Sequence, residues 1–351
     1  MSKFKLLFIC KSRKIPTIAG YKDFGEDHRN GSYGLINSCK LIARSLEYLY
    51  PDKFECEVIT VIDNNCIDRE VTLRKPTHVF IEALWVVPEK FYQLIPLHPN
   101  VKWAVRIHSK TPFLSNEGVA FDWINKYLEV AKKYSNFVIS GNDLEYSSDM
   151  CSAYKTDNFA YLPNLYHADW SYKTLKQIEK SHIDIGCFGA IRPMKNQLQQ
   201  AVAAIMFAND LGKKLKFHMN GRAEQRGEQV LSNIQSIMNG TGNELVLHGW
   251  HAHKDFLELV KQMDIGMQVS FSESFNIVTA DFVSQDIPIV VSNDIRWVNK
   301  LYMAETTNAK EISKKLKIAY KFKKWNLQYI NKLGLKSYNA NAVESWLKYL
   351  A

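Results

Sequence analysis

The six cysteines of this 351-residue chain, Cys10, Cys39, Cys56, Cys66, Cys151 and Cys187, form no Cys-x-x-Cys pair. That absence fits reduced core thiols in a cytoplasmic protein better than a disulfide or zinc framework. No stretch approaches the ~18 apolar residues of a membrane span. The apolar run in Met1-Ser-Lys-Phe-Lys-Leu-Leu-Phe-Ile-Cys10 is shorter than a signal-peptide core and reads as a buried strand. There is no Gly-x-x-x-x-Gly-Lys-Ser/Thr and no Gly-x-Gly-x-x-Gly, so Walker-type ATPase and ordinary dinucleotide-dehydrogenase readings lose their main support. Internal repeats and low-complexity tracts are also lacking.

What is present is an ordinary globular composition, 46% hydrophobic and 23% charged, in a chain long enough for two domains. Short apolar runs alternate with helical patterns throughout. Strands are expected at Lys5–Cys10, Glu57–Ile62, His78–Ile81, Lys102–Ile107, Asn136–Ile139 and Phe159–Leu162, then at Ile183–Phe188, Lys214–Met219, Glu244–Leu247, Ile265–Val269 and Ile287–Val291. Helical patterns include Gly34–Tyr50, Glu117–Lys133, Gln197–Leu211, Gln225–Met238, His253–Met263 and Ser274–Val283. Such alternation predicts an α/β protein with parallel sheets covered on both faces. A polar break at Asp169–Ser181 divides it into domains 1–166 and 167–351, doubly wound and facing each other across a cleft. Ligands of open parallel sheets sit at the carboxyl ends of strands, so the residues just after each strand are informative.

After the seventh strand comes Cys187-Phe-Gly-Ala-Ile-Arg-Pro-Met-Lys-Asn196. A glycine there allows a tight turn, and Arg192 and Lys195 stand near the start of the next helix, where the dipole favours an anion. The forked guanidinium and the point-charge ammonium suit a diphosphate. Further on, Ser270-Phe-Ser-Glu-Ser-Phe-Asn276 leads into a short helix, with Ser272 or Ser274 as its expected cap. Glu273 then lies in the loop or first turn and Asp281 about two turns on. Two carboxylates flanking a helix start beside a cationic loop can bind a polyol and a ribose.

Phe188-Gly-Ala-Ile-Arg-Pro-Met-Lys195, Leu247-His-Gly-Trp-His-Ala-His-Lys-Asp-Phe256, Met263-Asp-Ile-Gly-Met-Gln-Val-Ser270 and Glu273-x7-Asp281, followed by Ile287-Pro-Ile-Val-Val291, stand in one order and spacing. In these motifs the chain resembles the family-4-type retaining glycosyltransferases of the GT-B fold, closely over the C-terminal half. The resemblance implies an N-terminal acceptor domain and a C-terminal nucleotide-sugar domain, with the final helices able to pack back on the first. Arg192 and Lys195 would hold the donor diphosphate, Glu273 would contact the transferred sugar, and Asp281 stands where the family has a ribose-binding glutamate one methylene longer. Gly189, Asn220, Gly249, Trp250, Ser274, Phe275, Asn276 and Ile277 would complete the donor site.

In the N-terminal half the resemblance is looser. Asn30-Gly31-Ser32-Tyr33-Gly34 resembles the family's glycine-rich first loop, His108 its cleft histidine, and Pro163-Asn164 its interdomain turn. No metal is implied. His248, His251 and His253 lack zinc spacing, and there is no Asp-x-Asp pair of the kind that holds a metal-bound nucleotide in the other large glycosyltransferase fold. The resemblance thus implies a metal-independent hexosyl or pentosyl transferase that uses a nucleotide sugar, a UDP-sugar by expectation, with no cofactor.

Two features bear on the acceptor. Pro76-Thr-His-Val-Phe-Ile-Glu-Ala-Leu-Trp-Val-Val-Pro-Glu-Lys90 and Trp103-Ala-Val-Arg-Ile-His-Ser-Lys-Thr-Pro-Phe113 resemble a subgroup common in bacteriophage genomes, which would place the chain in the host cytoplasm. Residues 310–336 hold nine lysines against one acid, within a net charge of +9. Ile312, Leu316 and Tyr320 define one side of a helix there, and Lys314, Lys317, Lys321 and Lys324 another. Three readings follow: a solvated face, a DNA-phosphate face for an enzyme acting on hydroxymethylated pyrimidine, or an anionic membrane surface near a cell-surface glycan or lipid-linked acceptor. Tyr33, Trp85, Phe113 and Trp123 would either stack on an extruded base or fill the core. A non-catalytic sugar-nucleotide or nucleic-acid binding protein is a further class, against which Arg192, Lys195 and Glu273 argue.

Overall fold

A computed structural model describes residues 3–11, 33–168, 170 and 180–351. The chain divides into two compact units, Met1–His167 with Asn339–Ala351, and Ala168–Tyr338.

In the first unit the order is β1 (Phe4–Lys11), α1 (Tyr33–Leu49), β2 (Phe54–Val61), α2 (Ile67–Arg74), β3 (His78–Glu82), α3 (Phe91–Leu97), β4 (Lys102–Ile107), α4 (Thr111–Leu114), α5 (Ala120–Lys133), β5 (Phe137–Gly141), α6 (Leu144–Tyr154) and β6 (Phe159–Tyr161). The strands form one parallel sheet in the order β2-β1-β3-β4-β5-β6. Every residue of β3 is buried, as is the central run of β1, because helices cover both faces of the sheet. Helix α5 follows from its spacing: Ala120, Ile124, Tyr127, Leu128 and Ala131 turn inward every three or four residues while Asp122, Lys126 and Glu129 face water.

The second unit runs β7 (His182–Gly186), α7 (Gln197–Asp210), β8 (Lys214–Asn220), α8 (Gly227–Thr241), β9 (Glu244–His248), α9 (His253–Val260), β10 (Ile265–Gln268), α10 (Ile277–Ser284), β11 (Ile289–Ser292), β12 (Met303–Ala304) and α11 (Ala309–Lys324). Its parallel sheet has the order β12-β11-β10-β7-β8-β9. Gly186 and Gly266, paired across β7 and β10, leave room for the Phe282 ring of α10: a Cβ on either would come within 2.8 Å or 2.5 Å of it. The two glycines thereby seat the helix that carries Asp281.

The final helix, α12 (Tyr329–Leu350), begins in the second unit and ends in the first. Trp346 is fully buried, edge-on to Phe80 at 5.1 Å and to Phe8 at 5.9 Å, and its indole N–H donates to the Pro163 carbonyl at 2.8 Å. The Asn339 amide brackets Tyr166, donating to its carbonyl at 2.8 Å and accepting from its N–H at 3.0 Å.

All eleven strands read from the sequence are present, with ends moved by up to three residues. β12 was not expected, since two residues carry no periodicity. No described helix is long and apolar enough to cross a membrane.

Candidate functional site

The strongest concentration of expected site residues lies at the carboxyl ends of β7, β8, β9 and β10. The chain leaves β7 through Gly189 at φ +116°, a region that favours glycine. Its N–H donates to Asn220 Oδ1 at 2.8 Å, and the Asn220 Nδ2 donates to the Gly249 carbonyl at 3.2 Å. One buried amide at the end of β8 therefore ties the loop after β7 to the loop after β9. Trp250, next in that loop, is half-buried.

Pro193–Lys195 makes a single 3₁₀ turn and Asn196 stands in the left-handed region before α7. Asn196 Nδ2 donates to Val269 O at 3.0 Å and Thr306 O at 2.8 Å, so this turn is pinned to the end of β10. Lys195 Nζ lies 2.5 Å from Glu273 Oε1, and Arg192 pairs with Glu224. Both cations thus have carboxylate partners, where the sequence suggested two cations facing an anion. Glu224 escaped the sequence reading because nothing in Asn220-Gly-Arg-Ala-Glu224 marks it before the fold brings the loop after β8 beside the loop after β7.

Glu273 lies in the loop after β10, its own N–H bound by Asp294 Oδ2 at 3.0 Å. Neither Ser272 nor Ser274 caps α10. Asn276 does, accepting from Thr279 N at 2.8 Å, while its Nδ2 donates to Gln268 Oε1 at 2.9 Å. The amide reaches both the helix and the strand end, which a serine hydroxyl is too short to do. Phe275 is a core residue, stacked on Trp297 and Tyr338, and Ile277 is a half-buried first helical residue. Asp281 is buried, with His253 Nε2 2.7 Å from its Oδ1. The spacing of His253 argues against a metal but does not reveal the carboxylate it meets, 28 residues on in the neighbouring helix.

His248 faces inward instead. Its Nε2 is 2.9 Å from His218 Nδ1, and His218 Nε2 is 3.0 Å from Asp184 Oδ1, a chain crossing β9, β8 and β7. Burial and the neighbouring His218 and His251 lower the His248 pKa to about 4. Its unfolded value is ~6.5, so the unfolded chain takes up a proton first as pH falls. Stability contributed by neutral His248 is whole above pH ~6.5 and is lost progressively towards pH 4. The urea midpoint of the second unit should therefore fall over that window, and His248→Gln should flatten the fall. Among the described residues no group of three or more His, Cys, Asp or Glu side chains is arranged to hold a metal ion.

In the first unit, Glu82 ends β3 and Arg106 lies near the end of β4, followed by His108. The Arg106 guanidinium is fully buried and donates to Glu82 Oε2 at 2.9 Å, to Leu162 O at 2.8 Å and to Asn164 Oδ1 at 2.5 Å. His108 Nε2 is 2.5 Å from the same Glu82 oxygen. Gly31 and Ser32 lie outside the described residues, as does the Tyr33 side chain; Gly34 stands in the first turn of α1. Trp85 and Trp123 are half-buried and pack against the hydrophobic core, in line with the core reading of these aromatics.

Lys314, Lys317, Lys321 and Lys324 are exposed on α11, opposite buried Ile312 and Leu316. The face is less bare than its composition suggests. Lys317 pairs with Asp210, Lys321 lies 5.1 Å from the centre of the Trp325 ring and Lys324 5.9 Å from that of Tyr320. Within the same basic segment, Lys323 is bound to Asp264 and buried Lys332 to Asp286.

Comparison with protein-family descriptions and with curated proteins gave no match. Solved structures do match. HepE of Anabaena in complex with UDP aligns with a TM-score of 0.63 at 11% identity, over 98% of this chain and 100% of that one. The N-terminal domain of the Candida albicans trehalose-6-phosphate phosphatase aligns at 0.62 and 10% identity, over 98% and 97%. A mutant of S. aureus TarM in complex with Fondaparinux, alpha-GlcNAc-glycerol and UDP aligns at 0.57 and 13% identity, over 77% of this chain. This chain spans 55% of the TarM chain. At these identities the likeness shows the fold, which is GT-B.

Proposed function

We propose that the protein is a nucleotide-sugar-dependent glycosyltransferase that uses a UDP-sugar. The observation that carries this reading is the Lys195–Glu273 contact of 2.5 Å beside Arg192 at the carboxyl ends of β7 and β10. A cation suited to a phosphate and a carboxylate suited to sugar hydroxyls are adjacent there, as the two sides of a sugar–phosphate bond require. The GT-B structures of HepE and TarM, both complexes with UDP, support the choice of donor.

Glycosyl transfer develops oxocarbenium character at the sugar while negative charge grows on the departing phosphate. On this reading the incoming diphosphate takes Lys195 from Glu273 and Arg192 from Glu224, and the released Glu273 turns to the sugar. The two cations then meet the charge that grows as the bond breaks. Retention would follow from an acceptor hydroxyl entering on the leaving-group face and passing its proton to the phosphate oxygen. Asp281, held by His253, is the proposed ribose-side group.

For the acceptor, the reading carried from the sequence is hydroxymethylated pyrimidine in DNA, with a surface glycan or lipid-linked acceptor as the alternative. The exposed row Lys314, Lys317, Lys321 and Lys324 supports a polyanion; the Lys317–Asp210 pair reduces the charge it offers.

Incubation with a panel of nucleotide sugars, with and without hydroxymethylated DNA, tests both levels. UDP release from one donor is expected, unchanged by EDTA because side-chain cations neutralise the diphosphate. No release from any donor overturns the transferase; release that hydroxymethylated DNA does not stimulate overturns the DNA acceptor.

A further inference from the structure

The buried charges of the first unit constrain one proton. Glu82 is fully buried, and its Oε2 is approached both by Arg106 at 2.9 Å and by His108 Nε2 at 2.5 Å. Burial opposes ionisation of Glu82, but the Arg106 charge and the His108 contact outweigh it and its pKa is lowered. A carboxylate only accepts, so a 2.5 Å contact requires a proton on His108 Nε2. Arg106 lies 3.2 Å from that nitrogen and, being always protonated, cannot be what it donates to. Among the described residues Glu82 Oε1 has no hydrogen-bond partner, and both contacts of the carboxylate fall on Oε2.

We propose that Glu82 is a positioning residue that holds His108 as the neutral Nε2–H tautomer and so fixes Nδ1 as a hydrogen-bond acceptor. The logic matches that of any buried carboxylate that orients an imidazole by taking one of its two N–H positions. The charge state is set by the same neighbours. Burial and the Arg106 charge lower the His108 pKa, against the opposing pull of Glu82. The Cys39 thiol, 3.7 Å from that of Cys10, is kept un-ionised by burial first and by the Glu82 charge in addition. Resting on the reading of the protein as a glycosyltransferase, this makes any substrate hydroxyl that meets His108 Nδ1 a donor to it and forbids the reverse.

The first test needs no turnover. Selectively ¹⁵N-histidine-labelled full-length protein, with His108→Gln to assign the ring, should show the Nε2–H tautomer of His108 between pH 6 and 8. An Nδ1–H tautomer or an imidazolium there overturns the proposal. The second test is Glu82→Gln, whose amide can donate to Nε2 and reverse the tautomer. Donor hydrolysis should fall about 10- to 100-fold with little change in donor KM, and its acid limb should move to lower pH because the charge that favours the imidazolium is gone. Loss of rate with tautomer and acid limb unmoved would also overturn it. If Glu82→Gln fails to fold, the wild-type spectrum still decides. Absence of donor hydrolysis in the wild type would sink the glycosyltransferase reading and leave the tautomer assignment standing.

Discussion

Lys195→Ala is expected to lower turnover by about two to three orders of magnitude, the range seen when one preorganised donor to a developing negative charge is removed. The expectation rests on position. Lys195 stands in the turn between β7 and α7, pinned through Asn196 to Val269 and Thr306, and its Nζ is 2.5 Å from Glu273. A mobile surface lysine would lose entropy on engaging a phosphate; this one is already held by a partner it can exchange. UDP binding should weaken less than turnover, because the cation matters most when the charge on the phosphate is greatest. The readout is kcat and UDP affinity side by side, with the thermal midpoint as a control for the unpaired Glu273. Near-normal turnover would remove Lys195 from the chemistry and with it the carrying observation of the proposed function.

Trp346→Ala should destabilise the first unit by about 3–5 kcal/mol, the range for truncating a buried aromatic. Three losses coincide. The Phe8 and Phe80 rings lose their edge-on neighbour, the Pro163 carbonyl loses its donor, and the Arg106 guanidinium, 5.7 Å from the indole centre, loses its aromatic cover. Two units give no guarantee of a single transition, so the change should be read by calorimetry as a separate shift. At roughly 2–4 °C per kcal/mol for a unit of this size, the first-unit transition should move down by about 10 °C while the second stays in place. Equal movement of both would show that the units unfold together.

The sheets were legible because their strands are buried on both faces and read as short apolar runs: Lys102–Ile107 was placed to the residue. The short helices α2, α3 and α4 were not, being too brief to display a period. Helix α12 was hidden for another reason. Its Gly334 and its asparagines at 331, 339 and 341 are weak helix formers, yet Gly334 is required where a Cβ would come 2.2 Å from the Trp297 carbonyl, and Asn339 is required by Tyr166. At the site, Arg192, Lys195 and Glu273 were readable as residue types after strands. Their pairing was not. Glu224, His253 and Glu82 each answer a residue between 26 and 32 positions away, and local sequence has no means of choosing among equally spaced carboxylates and imidazoles.

Because Asn339 and Trp346 belong to the first unit, that unit is assembled from both ends of the sequence. During translation the ribosome delivers β1 to β6 long before the helix that closes over Phe8 and Phe80. The nascent N-terminal sheet must wait, with those rings open, until the whole of the other unit has emerged. The other unit, Ala168–Tyr338, is contiguous in sequence and depends on no such later segment.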